Sequence, residues 1–579
     1  MKFVRIFNEN EINPYLTEIK QAKILAVDTE TTGLDPHTDK LRLIQIAAAG
    51  LPVLVIDCFS FFPSGIHTIK EMLETRAVKI FQNAKFDLQF FMAAQVYPRP
   101  IFDTMLAGQL LRTSGGASRV GLDSLAQHYL NEILPKDGQK SDWQGELSES
   151  QLEYAANDAD VLLRLREVMV KQIYKNHLSE IALIEFSCVS AIAQIEYMGI
   201  CLDIPRWNQL LAETAKERDE ALEILYTYTG RPAVQMNLFG EEEAGGFNFD
   251  SNPFILNLLQ ENGIQTNSTS KYDLTPYINH PLVKAISAYR KAAKLLSAFL
   301  YPMPGMIHPK TGRLHPKYGQ NGAWSGRMSC GNPNIQQIPR SPDFRACFIA
   351  SPGHTLVIAD YSQIELRVAA EITRDPRMTA AYRNGDDLHR LTASLMVGKP
   401  IGEITSKERQ AAKAVNFGLI YAMGAAGLKQ YAEQSYGVEM SLEQAGDFRD
   451  RFFKAYTGIE KWHRSLKKDP PAEGRTLTGR KFTFPPNSGL PALCNTPVQG
   501  TAADIAKKTL GLLVNRLKET DTRIIGIIHD EILLETPEEN AGKTAELLKS
   551  TMEEAGNSIL KSVPCLADVD ISKNWAKII

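Results

Sequence analysis

Residues 354–373 read HTLVIADYSQIELRVAAEIT, and this stretch decides more about the fold than any other. The apolar run 355–359 predicts a buried strand that delivers Asp360 at its C-terminal end. Ser362 and Glu365 then stand at capping-box spacing for the helix that follows. A carboxylate at a strand-to-helix junction is well placed for a metal ion. Glu365 reads either as a plain helix cap or as a residue turned toward a substrate, and this stretch alone leaves both open.

Two segments further along supply what such a site would need. In 524–535, IIGIIHDEILLE, apolar runs flank His529, Asp530 and Glu531, which predicts a hairpin lifting charged residues to its tip. A mere reversal would more usually carry Asn-Gly or Asp-Gly, so Asp530 is the second metal candidate. In 407–428, KERQAAKAVNFGLIYAMGAAGL, Arg409, Lys413, Phe417 and Tyr421 recur every fourth residue. At about 100° per residue each step drifts only about 40°, so they form one stripe on one helix. Two cations followed by two rings suit a triphosphate and a stacked base, although a solvated basic face running into a core face has the same pattern.

The chain has 579 residues, enough for several domains at about 100 to 200 residues each. With 44% apolar and 23% charged residues it is an ordinary globular chain, which excludes fibrous and mostly disordered classes. A net charge of −3 announces no polyanion partner, so a nucleic-acid site has to be a local patch. The seven cysteines are scattered without a C-x-x-C pair, which indicates neither a disulfide framework nor a thiolate zinc site. No apolar run of about 18 residues stands out, and Glu9 and Glu11 interrupt the start before a signal core forms, so an unexported protein without a membrane span is expected.

The first 110 residues alternate strand-like and helical patterns and predict a three-layer α/β unit closed by a helix near 180. In ILAVDTETTGL (24–34), Asp28 and Glu30 end an apolar strand and project from one face. Asp87 follows QNAKF at another strand-to-helix junction, and Tyr154 and Asp158 stand one turn apart on the helix predicted from Ser148. Four converging carboxylates are costly without a counter-cation, and hard oxygen donors suit magnesium or manganese. Any one pair alone reads more readily as a solvated strand end, since acidic pairs on surfaces are common. From 181 to about 300 the pattern is long amphipathic helices, interrupted by QMNLFGEEEAGG (235–246), whose glycines and acids argue against order.

The blocks D-T-E, N-A-K-F-D and Y-x-x-x-D resemble the motifs of the DEDDy class of 3′–5′ exonucleases. That resemblance implies Asp28, Glu30, Asp87 and Asp158 as metal ligands, Tyr154 as the residue that orients water, and Asn83 beside the DNA end. Asp103 and Asp160 look like supporting acids outside the catalytic set. DYSQIELR, RQAAKAVNFGLIY and HDE are similar to motifs A, B and C of the family A DNA polymerases, and SGRMSCGNPNIQQIP, DLHRLTA and CNTPVQGTAAD extend the likeness from about residue 20 to the end.

The resemblance implies a ribonuclease H-like exonuclease domain followed by a right-hand polymerase, an α/β and α+β multidomain chain. Expected boundaries are 1–180 for the exonuclease, 181–300 for the thumb, 301–375 and 491–579 for the two parts of the palm, and 376–490 for the fingers. Asp360 and Asp530 would hold two magnesium ions, with manganese as a substitute, and each active site would use two. Arg409, Lys413 and His389 would bind the incoming triphosphate, with Lys413 also a proton donor to pyrophosphate. Phe417, Tyr421 and Gln363 would border the nucleotide and Glu365 would exclude a ribose 2′-OH. Arg327, Gln336, Asn495 and Gln499 would contact the primer-template, and His529 with Glu531 the primer end. Phenylalanine at 417 implies discrimination against dideoxynucleotides.

Two departures from the family pattern stand out: Ala422 where relatives often have glycine, and a segment before CNTPVQ that is short and poor in arginine. The resemblance further implies primer-template DNA and dNTPs as partners, no processivity insertion in the thumb, no 5′ nuclease domain, a monomer, and a cytoplasmic setting in a bacterial or phage-infected cell, with an organelle left open. Competing readings are an exonuclease with a DNA-binding C-terminal part, a single-subunit RNA polymerase and a non-enzymatic accessory subunit. The intact acids of both clusters and Glu365 speak against all three.

Overall fold

The computed structural model describes residues 2–112, 120–135, 141–230, 234–236, 242–244 and 247–576. The N-terminal part is built on a six-stranded sheet in the order Phe3–Ile6, Val53–Asp57, Leu41–Ala47, Ile24–Thr31, Val78–Phe81, Ile101–Asp103. Leu41–Ala47 runs antiparallel to both neighbours, and the other pairings are parallel. The strands expected from the apolar runs form the middle of this sheet. Phe3–Ile6 and Ile101–Asp103, with four and three residues, are too short to announce themselves by periodicity. The helix Glu149–Lys175 packs across the sheet, and its expected capping box is made by Ser148 and Gln151.

The C-terminal part centres on a four-stranded antiparallel sheet, ordered Arg523–Ile528, Glu531–Pro537, His354–Tyr361, Ala567–Ser572. The hairpin around Asp530 forms as its sequence predicts, and Asp360 sits opposite Glu531 in the register. Two acids 170 positions apart in the chain are thereby brought to one end of one sheet. The helix after Asp360, Ile364–Thr373, does form, but the Ser362–Glu365 capping box does not. Its N-cap is Gln363, left-handed at φ 55° and without a side-chain cap bond. That turn leaves the Glu365 carboxylate available for other partners.

Four apolar cores result among the described residues. One lies within the six-stranded sheet, one joins the C-terminal sheet to its helices, a small one gathers Leu225, Phe249, Leu259, Leu282 and Ile286 around the helices Ile204–Thr229 and Pro281–Leu295, and the smallest is formed by Phe482, Phe484 and Leu493. The helix Ser179–Met198 belongs to the first two cores at once: Ile181, Ile184 and Phe186 face one, and Cys188, Ala191 and Ile195 the other. This helix corrects the expectation that no segment is long and apolar enough to span a bilayer. It has 20 residues and a window of mean hydropathy 1.4, but 72% of that window is buried within the protein. Within 235–246, expected to lack order, Glu242–Ala244 pairs with Val234–Met236, and the rest of that stretch lies outside the described residues. All seven cysteines are unpaired.

Buried polar contacts lock the two large units together. Lys85 Nζ donates to Glu196 Oε1 at 2.7 Å and to the Tyr318 carbonyl at 2.6 Å. The Tyr318 N–H donates to the same Glu196 oxygen at 2.6 Å, while its hydroxyl donates to the Ile527 carbonyl at 3.0 Å. A second node is wholly interior: Glu185 pairs with Arg480 and with Lys507, and Arg480 also pairs with Asp504. Arg480, the single arginine of the segment 479–493 before CNTPVQ, is thus 5% exposed and committed to the core.

Candidate active sites

Asp28 and Glu30 flank Thr29 near the end of the strand Ile24–Thr31, and Thr29 Oγ1 donates to Asp87 Oδ1 at 2.6 Å. Asp87 lies in the first turn of the helix Ala84–Ala93, and Tyr154 reaches its i+4 neighbour Asp158 by a hydrogen bond. Asp87 and Asp158 are buried, whereas Asp28 and Glu30 are half-buried. Desolvation, and then repulsion from Asp87, Glu30 and Asp158, pushes Asp28 well above the usual carboxylate range. Glu30 rises for the same reasons, and burial lifts Asp87 to about 7 and Asp158 to about 6. The Tyr154 phenol rises too, by burial and then by the charge of Asp158, so it stays a donor. These four acids are electrostatically coupled, although among the described residues no three are drawn into ligating range of one another. Hard oxygen donors that repel each other in a desolvated setting fit a divalent cation.

The neighbours of this cluster divide into two kinds. Asn83 is the left-handed N-cap of the Asp87 helix at φ 59°, and its N–H donates to Asp103. Asp103 also accepts from Ala84 and Leu106, so it ties two helix N-termini together, and its charge contributes to raising Asp87. Asp160 points elsewhere and pairs with Arg164 at 3.2 Å.

The second site is a cleft of about 770 Å³. Its lining combines the acids Asp360, Asp530, Glu365 and Glu531 with Arg409, Lys413, His389 and Phe417. The stripe is on the helix Ser406–Ile420, which starts at a capping box of Thr405 and Glu408. Tyr421 sits at its C-cap, outside the lining but within reach: its hydroxyl donates to Glu365 Oε2 at 2.5 Å. Glu365 also pairs with Arg327, so its carboxylate lines the cleft and does not cap its helix. Burial first, then the charges of Asp360 and Glu365, raises Asp530 to about 6. Burial, then Arg409 and Arg340, lowers Lys413.

Gln363, Gln336 and His529 also line the cleft. His529 holds the hairpin turn at φ 60°, and burial with Arg327 and Arg340 lowers its pKa. Glu531 is spent on the frame, since its carboxylate pairs with Arg345 at 3.0 Å and accepts from Trp575 Nε1 at 3.3 Å. Asn495 and Gln499 lie on the helix Leu490–Arg516, outside the lining of the cleft, and Asn495 Oδ1 is buried without a hydrogen-bond partner. Residues that sequence reasoning passes over are Arg340 and Arg345 on the cleft wall, and Asp387, whose Oδ2 accepts from Arg409 Nε at 2.7 Å. The two arginines in PRSPDFR were the available signal; Asp387 reads only as the N-cap of the helix Leu388–Val397, which it also is.

Residues 210–577 match the family described as DNA polymerase family A, and residues 3–174 match one described as 3′–5′ exonuclease. The chain is 35% identical to the DNA polymerase I of Aquifex aeolicus (strain VF5) over 100% of both chains. It is 30% identical to the DNA polymerase I of Pseudomonas aeruginosa over 98% of its own length and 65% of that relative. A solved structure, the polymerase domain of Pol1 from M. smegmatis in complex with DNA primer-template and dNTP, superposes with a TM-score of 0.81 at 25% identity, covering 99% of this chain and 100% of that one. With each of the two sites falling inside one matched domain and a bacterial DNA polymerase I matched along its whole length, the chain belongs to the family A DNA polymerases and carries a 3′–5′ exonuclease domain.

Proposed function

We propose that the cleft performs templated addition of dNTPs to a primer 3′ end and that the N-terminal cluster removes misplaced 3′ nucleotides, with the residue roles as follows. The observation that supports this most is the separation of the two carboxylate clusters onto two sheets, one of them sharing its cleft with Arg409 and Lys413. Asp360 and Asp530 would hold divalent magnesium in the cleft, and Asp28, Glu30, Asp87 and Asp158 would do so in the exonuclease site; manganese is the natural substitute. When bound, the ion supplies charge against developing phosphate oxygens and makes a bound hydroxyl or water a better nucleophile.

The chain's own groups do the rest. Arg409 and Lys413 offer charge-assisted donors to phosphate oxygens, and Asp387 fixes the Arg409 fork by its bond to Nε. Lys413, with its pKa lowered, holds a proton at Nζ that it can give up to the leaving pyrophosphate. Glu365, held by Arg327 and by Tyr421, places a carboxylate at the sugar side of the cleft, where a 2′-OH would be crowded. In the exonuclease site Tyr154 keeps its proton and orients water. Asn83 borders the DNA end, and Arg327, Gln336, Asn495, Gln499 and His529 contact primer-template. The thumb, palm and fingers divide as 181–300, 301–375 with 491–579, and 376–490, and the bacterial relatives support a cytoplasmic setting.

A labelled primer-template incubated with magnesium, with and without dNTPs, tests this. Extension should be lost in Asp530→Ala alone and primer shortening in Asp28→Ala alone. Shortening with no extension by the wild type would sink the polymerase assignment of the cleft.

A further inference from the structure

Asn416 lies on the same helix as Arg409, Lys413 and Phe417 but turns its carboxamide inward, where the residue is 1% exposed. Its Nδ2 is 2.9 Å from His389 Nδ1. Its Oδ1 accepts from Thr392 Oγ1 at 2.9 Å, and that hydroxyl lies 2.7 Å from the Tyr456 hydroxyl and 2.9 Å from the Leu388 carbonyl. Thr392 and Tyr456 are both 1% exposed and His389 is 2% exposed, so the chain Tyr456, Thr392, Asn416, His389 is interior throughout, and its last member lines the cleft.

Proton counting allows two arrangements of this chain. In one, the phenol donates to Thr392, Thr392 donates to Asn416 Oδ1, and the amide donates to His389 Nδ1, which puts the ring proton on Nε2. In the other the amide is reversed, His389 Nδ1–H donates to it, and Nε2 is a bare acceptor. The first is the one that suits a bound anion. The cleft wall beside His389 carries Arg409 and Lys413 and is built for an anion, and an acceptor nitrogen there would repel phosphate oxygens.

The charged and titratable groups facing the ring are Asp387, Arg409 and Lys413. Burial outweighs the carboxylate of Asp387 and brings the imidazole down to about 4, so the ring is neutral at physiological pH and its tautomer decides what it can do.

We propose that Asn416 is a positioning residue that holds His389 in the Nε2–H form, so that the imidazole donates a hydrogen bond to an oxygen of the incoming triphosphate. This rests on the assignment of His389 to the nucleotide site. Asn416→Asp then has a definite consequence, because a carboxylate only accepts and draws the ring proton onto Nδ1.

The test is ¹⁵N NMR of the full chain labelled at histidine, read between about pH 6 and 8, with His389→Gln identifying the signal. The wild type should show a protonated Nε2 and a bare Nδ1, and Asn416→Asp a protonated Nδ1. Asn416→Leu should raise the KM for dNTP about tenfold with kcat nearly unchanged, since one donor to a charged group loses its orientation. If Asn416→Leu does not fold, Thr392→Val, which removes the hydroxyl at near-constant volume, takes its place. A wild-type proton on Nδ1 overturns the proposal, and so does an Nε2–H signal unmoved by every Asn416 and Thr392 variant. An unchanged dNTP KM in His389→Gln alongside an Nε2–H wild type overturns instead the nucleotide assignment on which the proposal stands.

Discussion

Ala422 shows how a single departure in the sequence becomes a physical statement once the backbone is known. It follows the helix Ser406–Ile420 and its C-cap Tyr421 with φ at 62°; its N–H donates to Leu419 and the next N–H, from Met423, to Gly418. That is a Schellman ending, whose left-handed residue is usually glycine because a Cβ is unwelcome there. Ala422→Gly is expected to stabilise the protein by about 1 kcal/mol, read as a shift in urea midpoint at constant slope. Phe417 belongs to the same helix and lines the cleft with a ring that has no hydroxyl. Phe417→Tyr should raise dideoxynucleotide uptake relative to dNTP by at least about tenfold, or about 1.4 kcal/mol, in competitive primer extension. A smaller change would remove Phe417 from the nucleotide site.

Lys79, at 0% exposure on the strand Val78–Phe81, gives the stability of the exonuclease unit a pH dependence. Its Nζ donates to the carbonyls of Thr75 and Arg99 at 2.6 Å each, yet burial brings its pKa down to about 7. The folded chain therefore holds this proton less tightly than the unfolded chain does, so unfolding takes up a proton between about pH 7 and the ordinary lysine value of about 10.4. Stability should rise with pH across that window, and Lys79→Met should flatten the rise in urea midpoints measured at about pH 7 and 9.5.

At the scale of elements, the decisive joints are polar and interior. Glu185 on the helix Ser179–Met198, Asp504 and Lys507 on Leu490–Arg516, and Arg480 just before the strand Lys481–Thr483 make a neutral set of two acids and two bases. Removing one base leaves an acid uncompensated in the core. Lys507→Met is expected to cost about 3 to 5 kcal/mol in equilibrium unfolding. None of these four residues is conspicuous in the sequence, because a charged residue on a helix ordinarily reads as a solvated face. The elements themselves were largely legible. The strands at 24–30 and 355–359, the hairpin about Asp530 and the cap of Ser148 and Gln151 all follow from local pattern, since each depends on residues within one or two turns. The reading of Glu365 as a cap of its own helix was resolved by partners from distant segments, Arg327 and Tyr421.

At the scale of the whole molecule, the helix Ser179–Met198 gives side chains to both the core of the exonuclease domain and the core of the C-terminal sheet, whereas the small core around Leu225 and Leu282 stands apart. Units that share a buried element should open together, and a small separate core should open earlier. In native-state hydrogen exchange, protected amides of Ile24–Thr31 and His354–Tyr361 should converge on one opening free energy, with those of Pro281–Leu295 below it. Exchange of Pro281–Leu295 at the same free energy as the two sheets would contradict this reading of the cores.

The sequence by itself determined the chemistry on offer: which acids end strands, which cations and rings share a helical stripe, and which motifs resemble the family to which the chain belongs. Those are short-range facts, written in spacings of two, three and four residues. Only the tertiary structure decided which groups line the cleft and which are spent on the frame. Asp360 meets the Asp530 hairpin through an antiparallel register, Glu531 is taken by Arg345 and Trp575, Arg480 is taken by Glu185 and Asp504, and Asn416 turns from the cleft to hold His389. Each of those pairings joins residues far apart in the chain, and no local pattern encodes a partner that only the packing of separate elements brings within hydrogen-bond reach.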